Sequence, residues 1–78
     1  MKYDGRITVN PKILHGKPVI RDTRIPVYVV LRLLAGEMPI EQILREYPDL
    51  AREDVLACLE YAAILAENDE VGALEALS

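Results

Sequence analysis

HGKPVIRDTRIPV, residues 15–27, decides how this chain is read. Two short β-branched runs, Val19-Ile20 and Thr23-Arg24-Ile25, flank the polar pair Arg21-Asp22, with proline near each margin at Pro18 and Pro26. Two apolar runs joined by two polar residues predict a tight β-hairpin. No reactive chemistry is visible in it. Four of the nine Lys and Arg residues lie in this segment or its lead-in, at Lys12, Lys17, Arg21 and Arg24. The segment therefore reads as a recognition or dimer-forming element on a small helical body.

Upstream, Arg6-Ile7-Thr8-Val9 alternates polar and apolar before Asn10-Pro11, which predicts a short strand and a stop. With Ile13-Leu14 and the hairpin this gives up to three short strands, too few to stand without helices packed on them. Downstream, Val27–Ala35 is apolar nearly all round, broken only by Arg32, and predicts a buried helix terminated by Gly36. Pro39 opens a second helix in its first turn. Its inner stripe is Ile40, Ile43, Leu44 and Tyr47, with Glu41 and Arg45 as an outer ion pair. Pro48 ends it, Leu50 docks the turn, and Ala51–Asn68 forms the longest helix, with Glu53 and Asp54 in the first turn where carboxylates complement the helix dipole. Val55, Leu59, Ala62, Ala63 and Ala66 are expected on its inner face, and Cys58 as a buried, inert thiol. The fold expectation is a mostly α chain: a three-helix, helix-turn-helix bundle preceded by a β-strand and β-hairpin, a single domain over residues 1–67. Residues 68–78 form an acidic tail in which Val71, Leu74 and Leu77 recur every three residues, too short to hold a helix alone. These three are the candidate residues for docking a partner.

Composition narrows the function. Seventy-eight residues bury roughly 60–65% of their unfolded surface, a thin margin. There is no Trp or Phe, so the core is aliphatic, and an uncovered apolar face closed by a second copy or another protein is expected. The net charge of −4 divides unevenly: residues 1–36 carry seven Lys/Arg against two Asp (+5), residues 37–78 two Arg against eleven Asp/Glu (−9). One cysteine fits a reducing compartment. The N-terminus lacks a signal-peptide pattern, and no apolar run approaches a ~20-residue membrane span. A cytoplasmic location without a membrane is expected.

One His and one Cys, forty-three residues apart in sequence (His15 and Cys58), give no metal-site spacing; Gly16 and Gly36 stand singly, and no nucleophile–base set can be assembled. Neither an enzyme nor a cofactor is expected. Pro39–Tyr47, the turn Pro48-Asp49-Leu50 and the helix from Ala51 have the dimensions of a helix-turn-helix, whose second helix reads bases from its N-terminal end. Here that end is Arg52-Glu53-Asp54, two anions beside one cation, a poor match to a polyanion. Candidate nucleic-acid contacts are therefore Lys12, Lys17, Arg21 and Arg24, with Arg52 as the one cation of the reading helix.

HGKPVIRDTRIPV, Gly36, Pro39–Leu44, Tyr47-Pro48-Asp49-Leu50 and Glu53-Asp54-Val55 together resemble the domain-of-unknown-function 433 (DUF433) family over roughly residues 5–66. The resemblance implies a small homeodomain-like helical domain with an N-terminal β-hairpin. It further implies an antitoxin whose partner is a PIN-like nuclease toxin and whose complex represses its own promoter. It implies no site residue. Two positions depart from the family pattern. Asp22 stands where glycine is usual in the turn, and Ala51 stands where Thr or Ser opens the third helix, losing a cap worth about 1 kcal/mol. An antitoxin, dimeric or larger, is the first reading. A stand-alone helix-turn-helix regulator is the second, a purely homo-oligomeric module the third.

Overall fold

Apolar periodicity and punctuation by proline set the architecture. The computed structural model describes Tyr3 and residues 5–68. Strand β1 (Ile7–Val9) pairs antiparallel with β2 (Pro18–Ile20), Ile7 opposite Ile20, Thr8 opposite Val19 and Val9 opposite Pro18. Helices α1 (Val27–Ala35), α2 (Ile40–Glu46) and α3 (Arg52–Asn68) follow. The chain is mostly helical with a small two-stranded sheet ahead of three helices, as the sequence indicates. No helix among the described residues is long and apolar enough to cross a membrane.

Between the strands, Leu14, His15 and Gly16 all take positive φ (51°, 58° and 81°), one left-handed turn closed by Gly16 N–H to Ile13 O at 3.0 Å. The hairpin of residues 19–25 is reduced to a turn and one bridge. Asp22 sits at φ 63°, Thr23 N–H donates to Ile20 O at 3.0 Å, and Val19 bridges Pro26. Its outgoing arm does not extend into a strand, because Thr23 Oγ1 engages the backbone locally. That hydroxyl donates to Ile20 O at 2.7 Å and accepts from Ile25 N–H at 3.0 Å. Pro26 then has no N–H to give, and caps α1 instead.

The core is built from short aliphatics: Val19, Ile20, Val27, Val30, Ile43, Leu50, Val55 and Ala57, with Cys58. Leu50 docks the α2–α3 turn, and Ile40, Leu44 and Tyr47 pack on the cluster as their spacing requires. Four local expectations are corrected. Pro39 lies one position outside α2, its carbonyl taking Gln42 and Ile43 N–H. Glu41 meets Arg52 across the turn at 3.9 Å rather than Arg45 one turn along. Helix α1 is buried on one face only, through Val27 and Val30, and Tyr28 is nearly half exposed. Helix α3 is rotated from its expected register. It buries Asp54, Val55, Ala57 and Cys58, while Leu59, Ala63 and Ala66 face outward. Alanine and leucine occur all round α3, so apolar spacing alone does not fix its register; the inward carboxylate of Asp54 does.

Helix α1 ends at Ala35 with Gly36 as its C-cap, as its glycine suggests, but the left-handed turn residue comes one position later. Met38 N–H bonds Leu33 O at 3.0 Å and Glu37 N–H bonds Leu34 O at 2.9 Å, the paired bonds of a Schellman motif. The left-handed position in it belongs to Glu37 (φ 69°), while Gly36 sits at φ −83°. Met38 and Leu33 both pack on the core beneath this turn. Glu37→Gly is therefore expected to stabilise the fold by about 1 kcal/mol. A Cβ on Gly36 would meet the Arg32 and Leu33 carbonyls at an ordinary 3.5 Å. Gly36→Ala is expected to leave stability unchanged or raise it by up to about 0.5 kcal/mol. Urea midpoints of the two variants check the assignment, and the opposite order would reverse it.

Candidate functional site

The expected cations occupy four separate places. Lys12 is exposed in the β1–β2 connection, where its N–H donates to Asn10 Oδ1 at 2.9 Å. Lys17 leads into β2 and holds its Nζ 5.5 Å from the centre of the Tyr28 ring, a cation–π contact. Arg21 and Arg24 lie at the opposite end of the ladder, both exposed, with Arg21 Nε 3.8 Å from Asp22 Oδ2. Arg52 opens α3 beside Glu41. No single basic face gathers all five. The end of α3 that would enter a groove presents a cation already offset by a carboxylate, then exposed Glu53, then Asp54 turned inward.

Arg6, which alternation alone marks as a strand residue, joins the basic half to α3 through its side chain. Its Nη1 donates to Asp54 Oδ1 at 2.9 Å, while Ala51 N–H donates to Asp54 Oδ2 at 2.8 Å. Asp54 is thus the N3 acceptor of a capping box whose other half Ala51 cannot supply. A Thr or Ser side chain at position 51 would instead take the Asp54 N–H, which here bonds Ala51 O at 3.0 Å. Arg21 N–H donates to Arg6 O at 2.8 Å, and Tyr3 N–H reaches Glu60 Oε1 at 3.4 Å. The N-terminal segment is therefore tied to both the turn and α3.

One turn beyond Asp54, Cys58 is fully buried. Burial, and secondarily the negative charge of Asp54, pushes its thiol up from 9.0 to about 12. A thiol held protonated this firmly is no nucleophile. Among the described residues no group of three or more His, Cys, Asp or Glu side chains is placed to hold a metal ion.

A concavity lies between α1 and the second half of α3, an open groove of about 610 Å³. Helix α1 lines it with Tyr28, Leu31 and Arg32; α3 lines it with Tyr61, Ala62 and Leu65. Lys17 stands on its edge. Tyr28 is 47% exposed and Leu65 53%, so the groove is apolar and open to solvent, with Lys17 and Arg32 as its charged lining residues. Core-directed reading of the sequence missed it. The available signal was a second stripe on each helix, Tyr28/Arg32 on α1 and Tyr61/Leu65 on α3, each pair at i, i+4, with Tyr61 also packed on the core. The expected docking residues Val71, Leu74 and Leu77 lie outside the described residues.

Two measurements test this geometry. Arg6→Ala is expected to cost about 1–2 kcal/mol, discounted because the guanidinium is partly solvated, and Asp54→Ala about 2–3 kcal/mol because the cap goes with it. A double-mutant cycle should return a coupling of about 1 kcal/mol, and additivity would show that the pair contributes nothing. For Cys58 the sign follows from the raised folded-state value. Below the unfolded thiol's pKa of roughly 8.5 both states hold the proton and stability is unaffected. Between there and about 12 the folded state alone keeps it, so stability falls with rising pH. The slope is at most ~1.4 kcal/mol per pH unit, and Cys58→Ala should flatten it in urea midpoints taken from pH 7 to 10.

Comparison with known proteins gives a concordant result. The family model described as "Protein of unknown function (DUF433)" matches residues 7–62. "Uncharacterized protein y4eO" of Sinorhizobium fredii is 39% identical over 56 residues, 72% of this chain but 25% of the relative, so the chain spans about a quarter of that relative's length. The crystal structure of a DUF433 member protein from Anabaena variabilis superposes with a TM-score of 0.76 at 28% identity, covering 91% of this chain and 70% of that one. The matched span takes in the strand-and-turn segment, α1, α2 and α3 as far as residue 62. The chain belongs to the DUF433 family.

Proposed function

We propose that this chain is a non-catalytic binding protein, the antitoxin of a toxin–antitoxin pair, which occupies a PIN-like nuclease toxin and represses its own promoter as part of that complex. The observation that supports a protein partner is the exposed apolar surface along α1 and α3, with Tyr28, Leu59 and Leu65 each 43–53% exposed on a domain this small. Such surface is an interaction site more often than a solvated face. Supporting the same reading, the first turn of α3 carries Glu53, and Arg52 is offset by Glu41, so the helix offers little to phosphate without help. The protein works in the cytoplasm as a homodimer, and Val71, Leu74 and Leu77 enter a groove on the toxin.

A second reading, a stand-alone helix-turn-helix regulator, is favoured by two separate features, the exposed Lys12, Arg21 and Arg24 and the short α2–α3 turn. Co-expression with the product of the adjacent reading frame separates the two. The antitoxin reading expects a stable co-purifying complex in which RNA cleavage by the partner is suppressed. Deletion of residues 68–78 should abolish capture while circular dichroism and thermal unfolding stay native-like. Absence of a complex, with the isolated chain instead shifting promoter DNA in a steeply salt-dependent way that Arg21→Ala or Arg24→Ala abolishes, would replace it with the regulator.

A further inference from the structure

We propose that the α1–α3 groove is the seat of this chain's own residues 69–78 while no partner is bound. The inference does not depend on which macromolecule the protein captures.

Three observations carry it. The first is charge. Lys17 and Arg32, the charged residues that line the groove, have no carboxylate partner among the described residues. Residues 69–78 carry Asp69, Glu70 and Glu75 and no Lys or Arg. The second is apolar chemistry. Tyr28, Leu31, Tyr61 and Leu65 present aliphatic and aromatic surface to the groove, and Val71, Leu74 and Leu77 are the apolar residues that would cover it. The third is reach. Helix α3 ends at Asn68, one turn past the lining residue Leu65. Antiparallel helical neighbours are joined by 2–5 residues, so a reversal at Asp69-Glu70 returns Val71 alongside α3. The lining on each helix spans one turn, about 6 Å, from Tyr28 to Arg32 and from Tyr61 to Leu65. Eight residues cover about 12 Å as a helix and up to roughly 28 Å extended, enough in either form.

The same segment in a second copy would carry identical chemistry, but its arrival would need a dimer arranged to aim it. The covalent tether supplies it here at high effective concentration. Seating it would shelter the exposed apolar area of Tyr28 and Leu65, and a partner would have to displace it.

Paramagnetic relaxation in the full chain tests this. Cys58 is buried and unreactive, so Ser78→Cys accepts a nitroxide label selectively. The proposal expects the Tyr28, Leu31 and Arg32 amides of the labelled chain to lose signal intensity, with α2 unaffected. Adding Leu74→Asp, or Lys17→Glu with Arg32→Glu, should restore the α1 signals. An equimolar mixture of isotope-labelled chain without nitroxide and nitroxide-bearing chain without isotope should show no such loss. Loss confined to residues 60–68, or present only in the mixture, would overturn the proposal. The first outcome leaves the tail unseated and the second assigns the groove to a neighbouring copy.

Discussion

The carboxylate of Asp54 is almost withdrawn from water, and two parts of the chain far apart in sequence supply its donors. One oxygen accepts from the backbone at the head of α3, the other from the guanidinium that precedes β1. A carboxylate in that position is tolerated because both oxygens are answered; the Ala51 donor is local to α3, and Arg6 is correctly placed only when the N-terminal segment lies against that helix. The rotation of α3 follows from this constraint. With Asp54 inward, Val55 and Cys58 enter the core, and Tyr61 and Leu65 turn toward α1 to make one wall of the groove. The strand, the helix register and the cavity thus share one electrostatic anchor. A core of valine, isoleucine, leucine, alanine and one thiol leaves little surplus to absorb its loss.

Helix positions were legible in the sequence wherever backbone chemistry was unambiguous. Proline before Val27, before Ile40 and after Tyr47, together with the aliphatic stripe of α2, places α1 and α2 where they are found. What was not legible depended on contacts between segments. The local Ala51 N–H bond marks Asp54 as a cap, but its burial, against exposed Glu53, is answered only when Arg6 arrives from forty-eight residues away in sequence. The Thr23 hydroxyl competes with a ladder in a way that a β-branched residue conceals, since propensity counts threonine toward the strand. The Gly36-Glu37 step shows a different limit: glycine marks the end of a helix without identifying which residue takes the left-handed conformation. Tyr28 and Tyr61 resemble core residues by composition and become groove residues only through the pairing of α1 with α3.

The family match covers the strand–turn segment and the helices as far as residue 62, and the structural superposition covers 91% of the chain. The relative from Sinorhizobium fredii is about four times the length of the matched unit, so the same unit also occurs inside a much longer chain.

Strand β1 pairs on one side only among the described residues, and Val9 at its end is largely bare. An unmatched row of peptide groups is an invitation to templated polymerisation between molecules. Here the invitation is short. Three residues carry the row, and Asn10-Pro11 cuts it off with a residue that has no N–H to share. The molecule can therefore keep an unprotected margin, at high concentration and without a covering helix, at small risk of growing into fibres.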